Sequence, residues 1–491
     1  MVMSKAVLFF LFRERDARLA SFVLRHWREQ GLSVHGVAVC YRQGAADLVR
    51  REPLGLWAEA VSEQEMPPLD VARDEGRRTL DRFEALYCDP NIWRQAVWDR
   101  YLVLEAHGGN LYRYGTRRTR HEILGIVGGR LRAVESLVER HAPVGAAFVS
   151  IDVGSGTALA TFQVVSARSI PTVVPFPNRL GAGTILSDHP RRLPTDVLGA
   201  YEALRGDCGA EARRDAARFI MEFREGKVGM RVRQRTSPAR GSGESGSRRR
   251  TWPGGIEALR SVRDRGARSV RRRYFSHLRS RWDNVEARRL PHVLMPLHLE
   301  PELALLAYAP EFYDQVAVAR QVAQALPWDH SLAIREHPVV AGQRPLRHYY
   351  DMSRIPNAHF SDVKVSGKDA ISASEGVVTI TGSAALEAVI LGKPAVVLGN
   401  VWFDACNSIL SAPTPARLPD VLNGLGDPSP EEGDVESFVG AILRESQPYA
   451  ISSLSRSVWG ASFEFVSQSD TFRDYSDSLR RRILATSTAN D

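Results

Sequence analysis

A rhythm of short apolar runs, each followed by a stretch of helical periodicity, occurs twice along this 491-residue chain and leaves few architectures open. In the first series, residues 6–12, 32–40, 144–151 and 172–175 read as strands. Residues 16–30, 121–141 and 155–168 between them read as helices, the first with Leu19, Phe22, Val23 and Trp27 at helical spacing. In the second series, residues 292–297, 331–335, 358–360, 377–381 and 395–398 read as strands, with helices over 313–325 and 383–391. Strands separated by single helices belong to parallel, doubly wound sheets. Runs that are apolar throughout, rather than alternating, suit strands covered by helices on both faces. The expected fold is therefore α/β, with two Rossmann-like doubly wound parallel-sheet domains facing a cleft at the carboxyl ends of their strands, where open sheets bind ligands.

The two series are separated by a stretch of different character. Residues 231–255 contain SPARGSGESGSRRR, too polar to bury a core, and read as a disordered basic linker. Residues 256–290 carry Ile256, Leu259, Val262, Val270, Phe275, Leu278, Trp282 and Val285 at spacings of mostly three and four, and read as a basic amphipathic helical connector. The domains are then residues 1–230 on the acceptor side and 291–450 on the nucleotide side, with a helical segment, 451–491, packing back toward the first; within it, residues 463–483 read as one helix. Residues 231–290 hold eighteen arginines against five acids, a balance of +13, so the remainder of a chain at +8 overall carries −5. Mildly acidic domains around one basic segment argue against a nucleic-acid protein. Clustered arginines beside an amphipathic helix instead fit an anionic inner-membrane surface, to which each adds about 1 kcal/mol of attraction.

No apolar run reaches membrane-spanning length, and no cleavage signal follows the first one. Cys40, Cys88, Cys208 and Cys406 are far apart and form no metal or redox pair, which points to reduced, buried thiols and a cytoplasmic setting, peripheral on the membrane's inner face if the basic segment docks there.

Three motifs carry chemistry. In VVTITGSAALEAVILGKP, an apolar strand runs into Thr381, Gly382 and Ser383 and then directly into a helix. The first amides of a helix lack partners and sit at its positive end, so a phosphate is expected there, with the Ser383 hydroxyl as a further donor and Gly382 allowing close approach. Glu387 lies one turn on, on the same face, where a carboxylate can accept the hydroxyls of a ribose. In LAIREHP, a strand ends in Arg335, Glu336, His337 and Pro338. Pro338 stops the ladder, His337 is expected to donate to a phosphate or base, and Arg335 offers a fork suited to phosphate or carboxylate. In LMPLHLEPE, His298 and Glu302 follow the first strand of the second series and are expected to face the cleft. On the acceptor side, Asp152 in SIDVGSG follows a strand and precedes a helix, and is the candidate base or nucleophile. No Asp-x-Asp metal motif is present, so chemistry without a metal or other cofactor is expected.

PLHLEPE, the helix with YDQ, IREHP, GQR before paired tyrosines, and TGSAALEAVILGKP resemble, in that order, the capsule polysaccharide biosynthesis family. The resemblance covers residues 292–400. It implies a GT-B-type glycosyltransferase similar to retaining Kdo transferases, some of which use a CMP-activated donor. It implies His337 and Ser383 on the nucleotide phosphates, Glu387 on the ribose, His298 and Glu302 near the donor sugar, and Arg344 helping to hold an anionic donor. The family often has lysine where Arg335 stands. The activity expected is that of a metal-independent glycosyltransferase, which moves a sugar from a nucleotide-activated donor to a capsular or other surface glycan, free or lipid-linked. Nucleotide-sugar 2-epimerases share the fold, and a non-catalytic capsule-assembly protein is the other alternative.

Overall fold

The computed structural model describes residues 4–88, 91–99, 102, 118–149, 155–206, 209–230, 266–267, 269–277, 290–300, 302–338, 340–425 and 429–484. The described residues of 4–203 and 441–484 form one compact unit, and those of 204–440 a second.

The first unit is built on a six-stranded sheet of β1 (Lys5–Leu11), β2 (Val34–Cys40), β3 (Trp57–Ser62), β4 (Gly145–Phe148), β5 (Thr172–Pro177) and β6 (Thr184–Ser187), in the order β3-β2-β1-β4-β5-β6. Strands β1 to β5 are parallel, and Val7 pairs with both Gly36 and Gly145 across β1. β1 is buried along almost its whole length, as its apolar run requires when helices cover both faces. Gly36 is dictated by packing: a Cβ there would fall 2.4 Å from the Trp57 ring and 2.6 Å from Leu24. β6 departs from the expected all-parallel pattern and pairs antiparallel to β5. Only six residues join the two strands, too few for a crossover, and Arg179 and Gly181 take positive φ to make the turn.

Residues near the chain's end complete this core. Tyr449, Ile451, Leu454, Val458, Phe463, Phe472, Tyr475 and Ile483 are buried in one cluster with Val7, Phe9, Leu24 and Trp27. Trp27 Nε1 donates to the Ser476 carbonyl at 3.1 Å, and Ser455 Oγ donates to the buried Asp16 carboxylate at 2.7 Å. The single helix expected over 463–483 is two, Phe463–Val466 and Asp470–Leu484. Ser467, Ser469 and Asp470 at the break are residues whose side chains compete for backbone groups and favour helix ends.

The second unit has six parallel strands: β7 (His292–Pro296), β8 (Ser331–Arg335), β9 (Ala358–Phe360), β10 (Gly376–Thr379), β11 (Ala395–Val397) and β12 (Ile409–Ser411), in the order β12-β11-β10-β7-β8-β9. Together the units are the two doubly wound α/β sheets that the two series of apolar runs implied. The second unit takes in more of the chain than the sequence reading gave it. Helix Ala210–Arg224, read as part of residues 1–230, lies here, with Arg224 Nε donating to the Ile390 carbonyl at 2.8 Å. Residues 231–265 and 278–289, most of the expected basic linker and connector, lie outside the described residues. Residues 269–277 are helical, and Phe275 is buried against Tyr349 and Phe360 with ring centroids 4.7 and 5.4 Å away. No helix among the described residues is long and apolar enough to cross a membrane.

Candidate functional site

Strand order in the second unit locates the site. From β7 the chain moves outward through β8 and β9, then returns to β7's other side with β10. Such a reversal opens a crevice at the carboxyl ends of the two strands that flank it, here β7 and β10. β8 and β10 both neighbour β7, so the loops after these three parallel strands share one sheet edge within about 10 Å. His298 and Glu302 follow β7, His337 and Pro338 follow β8, and Thr381, Gly382 and Ser383 follow β10.

At the crevice, the β7 and β10 loops are joined by one imidazole. The Thr381 backbone N–H lies 3.1 Å from His298 Nε2, and His298 Nδ1 lies 3.3 Å from Glu302 Oε2. His298 is 8% exposed, whereas Glu302 is 39% exposed. The Thr381 hydroxyl is buried with no hydrogen-bond partner among the described residues. Gly382 N–H donates to Thr379 Oγ1 at 3.1 Å, and a Cβ on Gly382 would approach that oxygen to 2.6 Å. No side chain fits in the turn without displacing Thr379. Ser383 precedes a seven-residue helix, Ala384–Ile390, without capping it. Its hydroxyl donates instead to Glu387 Oε1 at 3.2 Å, which leaves the donating at the turn to backbone amides. Ser383 and Glu387 are both half-buried and together present acceptor oxygens one turn apart.

The arginines behave differently from expectation. Arg344, expected to hold an anionic donor, is fully buried. Its Nε lies 2.8 Å from Glu336 Oε2, its Nη1 3.0 Å from Glu300 Oε1, and its Nη2 donates to the His298 carbonyl. With both carboxylates and that carbonyl on it, the guanidinium is spent inside the protein. Arg335 is buried too, and donates to the carbonyls of Asp362 at 2.8 Å and Val365 at 2.6 Å, which ties down the loop after β9 instead of meeting a phosphate. His337 is half-buried, its N–H donates to Glu336 Oε1 at 2.7 Å, and Pro338 is exposed.

Sequence reasoning missed the network beneath the site. Glu336, directly after β8, also accepts from the Tyr349 hydroxyl at 3.0 Å. Gln315 accepts from His298 N–H at 2.7 Å, donates to the His298 carbonyl at 3.3 Å, and donates to Glu300. Glu300 is 7% exposed, and burial raises its carboxyl above the usual value. Each of the motifs PLHLEPE, YDQ, IREHP, GQR and the paired tyrosines thus contributes at least one buried group to a single chain of bonds. For Glu336 the available signal was an ionic residue standing immediately after a strand that is buried throughout.

Asp152 lies outside the described residues. Beside its segment, Ser155 caps helix Gly156–Ala167 by accepting from Ala158 N–H at 3.1 Å. Asp99 accepts from Gly156 N–H at 3.3 Å, and Arg130 bridges Asp99 and Glu63 at 2.8 Å each. A hollow of about 560 Å³ in the first unit, lined by Phe22, Leu48, Leu54, Leu56, Arg18 and Arg51 among others, contains none of the candidate site residues read from the sequence. No group of three metal-ligating side chains assembles among the described residues.

Among curated proteins, none matches this chain in sequence. Among solved structures, a UDP-GlcNAc 2-epimerase from Methanocaldococcus jannaschii is similar at 11% identity and a TM-score of 0.28, over 89% of this chain and 98% of that one. The Thermosulfurimonas dismutans KpsC β-Kdo 2,7 transferase is similar at 12% identity and 0.35, over 72% and 87%, and the β-Kdo 2,4 transferase of the same protein at 12% and 0.34, over 61% and 80%. Residues 263–406, under a third of the chain, match the family model described as capsule polysaccharide biosynthesis protein. The segment that builds the site is therefore similar to the capsule polysaccharide biosynthesis family, as the order of its motifs implied.

Proposed function

We propose that the second unit binds the nucleotide of an activated sugar at the β7–β10 crevice, and that the chain transfers the sugar to a capsular or other surface glycan without a metal. The observation that carries this is the convergence of two loops at the switch point. An imidazole links them, a glycine turn has no room for a side chain, and a hydroxyl and carboxylate stand one helical turn apart. Backbone amides of the Gly382–Ser383 turn would face the departing phosphate, which needs donors and positive charge more than a proton. The Ser383–Glu387 pair would accept the ribose hydroxyls, and His337 would border the nucleotide from the β8 side. Glu302 and His298 would lie at the sugar, with Asp152 as the candidate acceptor-side group.

Thermal unfolding with CMP, CDP, UDP and GDP tests the first step. A ligand at 100 times its Kd adds about 2.7 kcal/mol to the folded state. One of the four should raise Tm, and Gly382→Ala and Glu387→Ala should erase the rise. No shift from any of them at millimolar concentration would end the proposal. Product analysis tests the second step: a transferase changes the glycan, whereas an epimerase changes the sugar nucleotide with no glycan present. For the setting, we place the chain on the cytoplasmic face with residues 231–290 against anionic lipid. Sedimentation with phosphatidylglycerol vesicles should be lost when these arginines become glutamine.

A further inference from the structure

Both ring nitrogens of His298 are engaged within the second unit. An amide N–H only donates, so the Thr381 N–H at 3.1 Å requires a lone pair on His298 Nε2. The ring proton of the neutral imidazole then sits on Nδ1, which faces Glu302 Oε2 at 3.3 Å as the donor. The backbone of the same residue is held from both sides, its N–H on Gln315 Oε1 and its carbonyl under Gln315 Nε2 and Arg344 Nη2. A side chain fixed at both nitrogens and at its own main chain is poorly placed to pass a proton to a ligand.

We infer that His298 is a positioning residue: it joins the β10 turn to the β7 loop through Nε2, aims Glu302 through Nδ1–H, and leaves Glu302 as the carboxylate presented to the sugar. Exposure divides the pair the same way, 8% for His298 against 39% for Glu302. A carboxylate held as an acceptor suits the positive charge that develops at a sugar carbon as its bond to the leaving group lengthens. The buried network of Glu300, Gln315, Glu336, Arg344 and Tyr349 then reaches the site through the fixed main chain of His298 and through the His337 N–H held by Glu336. This inference rests on reading the crevice as the donor pocket.

Two near-isosteric substitutions separate the roles. In His298→Gln the carboxamide oxygen reaches the place of Nε2 and keeps the Thr381 bond, but nothing replaces Nδ1–H. In His298→Asn the amide nitrogen takes the place of Nδ1 and keeps the Glu302 contact, but the Thr381 N–H loses its acceptor. With CMP, CDP, UDP and GDP as probes, His298→Gln should keep the wild-type Kd within about twofold, and His298→Asn should weaken it about tenfold, the worth of one hydrogen bond to the turn. Nitrogen-15 NMR of the histidine-labelled wild type should show the proton on Nδ1, and Glu302→Ala should move that resonance while leaving nucleotide affinity within about twofold. A proton on Nε2, or equal weakening in the Gln and Asn variants, overturns the inference. If the wild type binds none of the four nucleotides, the donor-pocket reading fails. The ring tautomer and the Thr381 amide resonance, unchanged in the Gln variant and shifted in the Asn variant, then decide the positioning role alone.

Discussion

Replacing Arg344 with methionine removes the cation that lies between two buried carboxylates. Glu336 is fully buried and Glu300 is 7% exposed, so neither can turn to solvent when the guanidinium is gone. Breaking a buried ion pair by deleting one partner costs about 3–5 kcal/mol, chiefly because a charge is left unpaired. The bond to the His298 carbonyl adds about 1 kcal/mol more. For a unit of this size, about 4–6 kcal/mol lowers Tm by roughly 8–24 °C. The two units need not unfold together, so the loss should be localised by hydrogen exchange, with protection falling in β7 and β8 and unchanged in β1 and β2. Adding Glu336→Gln to Arg344→Met should recover about half of the loss, since one uncompensated charge goes with it. An Arg344→Met protein that melts within about 3 °C of wild type would refute the reasoning, because the carboxylates would then have found water or protons at little expense.

Three further outcomes rest on named contacts. Burial raises the Glu300 carboxyl above 4.5, so its share of stability is fully present below that pH and is lost as pH rises through the folded-state value. The Tm of Glu300→Gln minus that of wild type should therefore increase from pH 4.5 to 7, and a flat difference would show that the carboxyl is not desolvated. A Cβ at Gly145 would fall 2.0 Å from Ile483 Cγ2, so Gly145→Val should loosen helix Asp470–Leu484 from β4, lowering stability by about 1–3 kcal/mol and opening residues 470–484 to limited proteolysis. Burial pushes the Cys40 thiol up to about 12 and Cys88 to about 11, so iodoacetamide at pH 8 should spare both until denaturant is added, as read by mass spectrometry.

The central strands were legible because burial on both faces writes itself as an unbroken apolar run; β1, β7 and β10 are examples. Three of the four edge strands, β3, β6 and β12, were not, whereas the fourth, β9, was read in full. β3 is Trp57–Ser62, with Glu59 partly open to solvent, so it carries no unbroken apolar run. Helix Ala210–Arg224 was assigned to the wrong unit because sequence distance stood in for contact, and its bond to Ile390 spans 166 residues. At the site, the turn after β10 and the spacing of Ser383 and Glu387 were readable, since local geometry follows from local order. The roles of Arg335 and Arg344 were not. A guanidinium that grips carbonyls or carboxylates within the protein has the same letter as one that waits for a phosphate, and only the partners tell them apart.

The first unit draws its core from two stretches of sequence that flank the second unit, and this sets an order of events during synthesis. Val7, Phe9 and Trp27 leave the ribosome early, yet Tyr475, Leu479 and Ile483, which close the same cluster, emerge only after every residue of the second unit. The unit made first must therefore wait with part of its apolar surface uncovered, while the one made second is free to fold at once. Ribosome-stalled chains ending near residue 445 should carry a protease-resistant second unit beside a first unit still open to cleavage, a reversal of the usual amino-terminal lead.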